Sequence, residues 1–241
     1  STGTITDSGN LTVADLATLV SGGNAITLGD GFAADGTTAN GTTANFDSID
    51  FAGSTVTITE AGDMSIAASE ATGVLSLMSS TGTISQTGRI DAGNISFFTT
   101  STNDKVINLG NTSNALTGAV AFTTGGTAGN VTVDNGTTAL DLAASTISGT
   151  LKATGGATAG IVDSGNVAVS GNVTLITDAN NGVINLDTLQ QSAGDLVLTT
   201  DGTGDATVVN NAAIDFGTSN VGGKLNATAS AGAITQDGAL T

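Results

Sequence analysis

The segment GTITDSGNL at residues 3–11 returns as GTISQTGRI at 82–90, as AGIVDSGNV at 159–167 and as GAITQDGAL at 232–240. Each copy sets an aliphatic residue, a polar pair and a glycine in the same order. The aliphatic anchors Ile5, Ile84, Ile161 and Ile234 follow one another at a single, slightly drifting period of about 75 residues. Other landmarks keep that register. VINL stands at 106–109 and 183–186 with AITL at 25–28 in the matching place, and STISGTLKA at 145–153 answers SNVGGKLNA at 219–227. A period of this length marks stacked units, each too small to bury its own apolar face.

Within a unit the apolar residues come as short alternating pairs: Val56 and Ile58, Leu75 and Leu77, Leu140 and Leu142, Leu196 and Leu198, Ile214 and Phe216. Period two puts both members of a pair on one face of a strand. Gly, Asn, Asp, Ser and Thr separate the pairs and supply turns. No segment carries apolar residues at helical spacing over three turns, so the chain reads as all-β. A sandwich gives no reason to return to one motif at so regular an interval, whereas a solenoid with turns of about 22 residues passes through three or four turns per period. The expected fold is a right-handed parallel β-helix of roughly 10–12 turns, a rod about 50 Å long. Small aliphatic side chains would fill its narrow core, and bulky aromatics would fit it poorly. Residues 1–241 form one segment in this reading, with 30–55 an inserted loop or extra partial turn that contains the duplication TTANGTTAN at 37–45. Both ends fall at the same phase of the repeat, and neither reads as a cap. The expectation is a piece of something longer, or a unit that stacks end to end with copies of itself.

Composition narrows function. Four cations, Arg89, Lys105, Lys152 and Lys224, lie far apart against 21 acidic residues, for a net charge of −17. Nucleic acid and anionic membrane surfaces need clustered cations and are not expected partners. The chain has no Cys, which rules out disulfides and thiolate metal sites. It also lacks an apolar run long enough to span a bilayer as a helix. Disorder fits poorly with 39% hydrophobic residues spread evenly along the chain.

Through GAITQDGAL, GTISQTGRI, NVTL at 172–175 and SNVGGKLNATASAGAITQDGAL at 219–240, the chain resembles the repeats of filamentous haemagglutinin-like exoproteins of two-partner secretion. The resemblance is strongest from residue 140 onward. It implies a β-helical shaft of a secreted or cell-surface adhesin of a Gram-negative bacterium. Such a shaft attaches cells to host surfaces, to matrix polysaccharide or to one another, as in a biofilm. The secretion domain of that family, with its Asn-Pro motifs, has no counterpart in a chain without Pro.

Enzymatic readings lack materials. A lyase needs a base and a cation cluster, and the chain has no His and one Arg. A glycosidase needs two carboxylates, for which Asp47, Asp50, Glu60, Asp63 and Glu70 are candidates, but neither Tyr nor Trp is present to stack on a sugar. No catalytic, cofactor or metal residue is therefore assigned. Calcium has candidate loops in DGTGDATVV, 201–209, and GDGFAADG, 29–36; neither recurs in tandem, and turn chemistry is the preferred account. TVTIT at 55–59 does not recur at the spacing an ice-binding face needs. Of eight Asn-x-Ser/Thr sequons, including those at Asn10, Asn40, Asn94, Asn130 and Asn226, composition alone accounts for the number; glycosylation stays open from the resemblance. The alternatives to the adhesin shaft are a self-assembling fibre subunit and a β-helical carbohydrate-active enzyme.

Overall fold

The computed structural model describes residues 3–29 and 43–241, and every described element is a strand or a turn. All 27 strands join one continuous sheet, and every pairing between them is parallel. The chain winds as a β-solenoid of about 10 turns.

The winding can be followed along one wall. Met64 lies against Ile84, then Ile107, Val131, Leu151, Val173, Leu196, Phe216 and Gln236, each one turn beyond the last. The steps between these partners average roughly 21.5 residues per turn, a length proper to a stacked β-coil. The first eight side chains of this column point inward and are at most 2% exposed. Their strands show the burial alternation expected of a wall with one wet face, as in Val173–Thr177. Removing such a side chain from water stabilises by roughly 1.5–3 kcal/mol, so the whole column outweighs any single polar contact on the surface.

Set against the period of about 75 residues, this turn length gives close to three and a half turns per repeat. Successive copies of the motif must then fall on alternate walls. Ile5 pairs with Ile26, and Ile161 with Leu140 and Ile184, on one wall. Ile84, between Met64 and Ile107, and Ile234, beside Ile214, lie on the other. The irregularities follow the same rule. The strand Val120–Gly125 meets the next turn at Val120↔Leu142 and Thr123↔Thr146, and Leu196↔Phe216 with the bridge Thr199↔Asn220 repeats that split on the opposite wall.

Aromatic residues enter the core against expectation. Phe51, Phe98 and Phe122 are among the largest fully buried side chains. Phe98 and Phe122 are register partners, so their rings stack at 5.8 Å between centroids. Parallel in-register pairing brings like residues into contact along the axis, which is why a large ring fits beside another ring. In the stretch 30–55, residues 30–42 lie outside the described residues, while Ala44–Gly53 is a strand paired with Leu11–Val20 and burying Phe46, Ile49 and Phe51. The chain therefore uses the end of this stretch as wall.

Leu151 and Lys152 test the inward and outward sides of one strand. Leu151→Ala should lower unfolding free energy by about 2–5 kcal/mol in denaturant titrations, and Lys152→Ala by under about 0.5 kcal/mol. Equal effects would contradict the assignment of walls.

Candidate functional site

The polar residues of the described chain are organised chiefly by its corners. Where one strand bends into the next, backbone groups lose their ladder partner, and a side chain from the adjoining turn must supply one. On the outside Asn and Asp do this. Asn130 Oδ1 accepts from Thr150 N at 2.8 Å, Asn172 Oδ1 from Asp195 N at 3.2 Å, Asp63 Oδ1 from Thr83 N at 2.7 Å and Asp205 Oδ1 from Lys224 N at 2.7 Å. Asp163 takes the N–H groups of Asp187 and Thr188. Asp104 takes those of Thr127 and Ala128, and these bonds hold its carboxyl below the usual aspartate value.

Inside, the devices repeat with the sequence. Ser69, Ser145 and Ser219 each accept from a backbone N–H of the preceding turn (Phe51, Phe122, Leu198) and donate to a nearby carbonyl of their own turn (Ala67, Ala143, Gly217). Asn135 and Asn210 are fully buried and act alike. Asn135 accepts from Leu116 N and donates to the Leu116 and Ala139 carbonyls; Asn210 accepts from Gln191 N and donates to those of Gln191 and Ala213. One repeat period before Asn135 stands Glu60, also fully buried. Its Oε1 accepts from Phe46 N at 2.7 Å, while its Oε2 has no partner. Burial pushes this carboxyl up to about 7, the Phe46 N–H pulls it down, and Asp63 adds to the rise.

The acidic candidates are thus dispersed. Asp47 and Asp63 line one surface hollow of about 450 Å³; Asp50 and Glu70 line another of about 270 Å³ with Arg89 and Asp91. Glu60 is in the interior, and Asp63 already serves Thr83. Arg89 and Asp91 form an exposed ion pair at 2.5 Å, worth little in water. In DGTGDATVV, Asp201 accepts from Asn181 N and Asp205 from Lys224 N, with Gly202 at φ +55°, the turn chemistry expected there. Of GDGFAADG only Gly29 is described; its N–H bonds to Asp7. Asp178 is raised by burial and then by Asp134 and Asp201. Asn10, Asn94, Asn130 and Asn226 are exposed, and Asn40 lies outside the described residues.

The structure also gathers three carboxylates that sequence reading does not single out. Asp195, Asp215 and Asp237 occupy successive turns with oxygens within 4.8 Å of one another, the one such group among the described residues. Their signal is a spacing of one turn each, meaningful only once the turn length is known.

Comparison with known proteins returns the same period. A family model described as repeats of unknown function (DUF5649) matches residues 1–39, 53–123, 128–200 and 203–241. The last three matches begin at equal steps, at 53, 128 and 203. No curated protein and no solved structure matches.

The inner corners give a contrast. Asn135→Ala leaves an N–H and two carbonyls unpaired in the interior and should cost on the order of 2–3 kcal/mol, whereas Asn130→Ala, at an exposed corner where water can substitute, should cost about 1 kcal/mol or less. Thermal unfolding of the two variants checks this, and a larger loss at Asn130 would contradict it. The chain belongs to the family of repeats of unknown function (DUF5649).

Proposed function

We propose that this chain is part of the structural shaft of a secreted or cell-surface bacterial adhesin, of the filamentous haemagglutinin-like kind its repeats resemble. The observation that carries the reading is the single parallel ladder that joins all 27 described strands around a column of buried aliphatic side chains. Every turn is bonded to its neighbours along the axis, so bending strains many hydrogen bonds together, and the object is a stiff spacer. Corner polar groups are largely committed to holding adjacent turns, which leaves the side-chain rows of the outer walls as the surface available to host cells, neighbouring cells or matrix polysaccharide. A net charge of −17 keeps such rods apart and soluble.

A self-assembling fibre subunit is the second reading. Leu225 and Ile234, which pair with the buried Ala206 and Ile214, and Leu240 are large apolar residues at least 36% exposed in the last turns of the described solenoid. Further turns of the same repeat, from the same polypeptide or from another copy, would cover them. A carbohydrate-active enzyme is the third, with Asp47, Asp63, Asp50 and Glu70 as its carboxylates.

Duplicating residues 128–202 should lengthen the rod by roughly 17 Å, three and a half turns of about 4.8 Å, while it stays folded. Electron microscopy should show separate rods, about 50 Å long for the purified chain and about 67 Å for the duplicated one. Beads coated with the chain should bind cells or matrix polysaccharide without shortening the polysaccharide. End-to-end polymers would replace the shaft by the fibre. Cleavage lost in Asp47→Asn with Asp63→Asn, or in Asp50→Asn with Glu70→Gln, would replace it by the enzyme.

A further inference from the structure

Glu60, Asn135 and Asn210 occupy one position of the repeat in successive copies, at or just past the end of a strand: Val56–Glu60, Val131–Asp134 and Ala206–Asn210. Glu60 pairs with Ala44 and accepts from the N–H two residues on, at Phe46; Asn210 pairs with Leu189 and accepts from the N–H two residues on, at Gln191. In the Asn copies the second side-chain atom is an NH2 donating to two carbonyls. In the Glu copy the corresponding atom is Oε2, buried and without a partner. An ionised carboxylate has no hydrogen to give there, and a buried charge without a counter-ion is costly.

No counter-ion is near among the described residues. The chain has no Lys or Arg before Arg89. Of the strands packed on Val56–Glu60, Ile26–Leu28 and Leu75–Ser79 carry no titratable group, and Ala44–Gly53 carries Asp47 and Asp50 on its outer side. The adjoining turns add Asp63, and Asp7 through its bond to Gly29. Every charge in this described surrounding is negative.

We propose that Glu60 stands in the wall as an uncharged carboxylic acid whose Oε2–H takes the part of the Asn135 and Asn210 amide NH2, so that release of this proton to solvent loosens one turn of the rod. The neutral acid keeps the bond from Phe46 N to Oε1 and carries its hydrogen on Oε2, the atom that corresponds to the amide NH2 of the Asn copies. Ionisation keeps the first bond and turns the donor into a second acceptor.

The linkage sign follows from a folded-state value near 7 against 4.5 unfolded. The stabilisation is fully present below about pH 4.5, drains as pH rises to about 7, and is gone above that. The chain contains two glutamates, Glu60 and Glu70, so 13C-glutamate labelling gives two carboxyl signals, and Glu60→Gln assigns them. In the unmodified chain the Glu60 signal should titrate near pH 7; a midpoint at the ordinary 4.5 would overturn the proposal. Thermal unfolding supplies the consequence. The melting temperature of Glu60→Gln minus that of the parent should grow between about pH 5 and about pH 7 and then level off. A difference that does not vary with pH would show that the proton does not matter to the turn. Glu60→Asn, the residue of the other two copies, should behave like Glu60→Gln.

Discussion

Each turn of this protein is held against its neighbours along the axis, because its strands have no partner within their own turn. Backbone bonds run along the axis, and side chains one turn apart are stacked over one another. In-register stacking is the constraint behind the rest. It aligns Met64, Ile84, Ile107, Val131 and Leu151 in one buried column, sets Phe98 on Phe122, and stacks Asp195 beside Asp215 on the next turn. Inside, stacking of like residues multiplies apolar contact; outside, it multiplies charge. The same rule that builds the core therefore gives the outer wall its repetitive chemistry.

Corners are where the constraint fails locally and where the repeat keeps its polar residues. Strand bonds cannot continue through a bend, so Ser69, Ser145 and Ser219, and Glu60, Asn135 and Asn210, reach into the adjoining turn to complete them. Gly160 shows how tightly those bends pack: at φ +57° its α-carbon lies against the Val183 carbonyl, which a side chain would strike. A repeat of three and a half turns then places these corners alternately on opposite sides of the rod, so that no one side accumulates all the bends. That balance suits an element whose proposed role is to stay straight.

The strands are legible in the sequence because their alternation is local: Val56 with Ile58 and Leu140 with Leu142 are inward pairs as read. The period is legible because the repeats retain their motif, and the family match begins at 53, 128 and 203 in the same step. The half-turn offset is hidden, since it depends on the ratio of the period to a turn length that is not constant. The step from Val56 to its partner Leu75 is shorter than the step from Ile107 to Val131. Aromatic packing escapes the sequence because the room for a ring comes from the partner one turn away. Asn135 and Asn210 carry a readable signal in their spacing. Glu60 does not, because its copies are a different residue, and by sequence it reads as one acidic surface group among several. The pairing of the candidate carboxylates is hidden for the same reason: stacking one turn apart brings Asp47 to Asp63 and Asp50 to Glu70 in two shallow hollows, while Glu60 turns to the inner side of the wall.

The register itself is open to direct measurement. Lys152 and Thr174 are partners on adjacent turns, one full coil apart in sequence and both outside the core. Parallel neighbours at about 4.8 Å fall within the Cα separation of about 4.4–6.8 Å that a disulfide accepts. In a chain with no native cysteine, Lys152→Cys with Thr174→Cys should close to a single intramolecular disulfide on mild oxidation, with melting temperature kept or raised. Failure of this pair to close, while Lys152→Cys closes readily with a cysteine placed elsewhere on the chain, would contradict the stacked parallel coil.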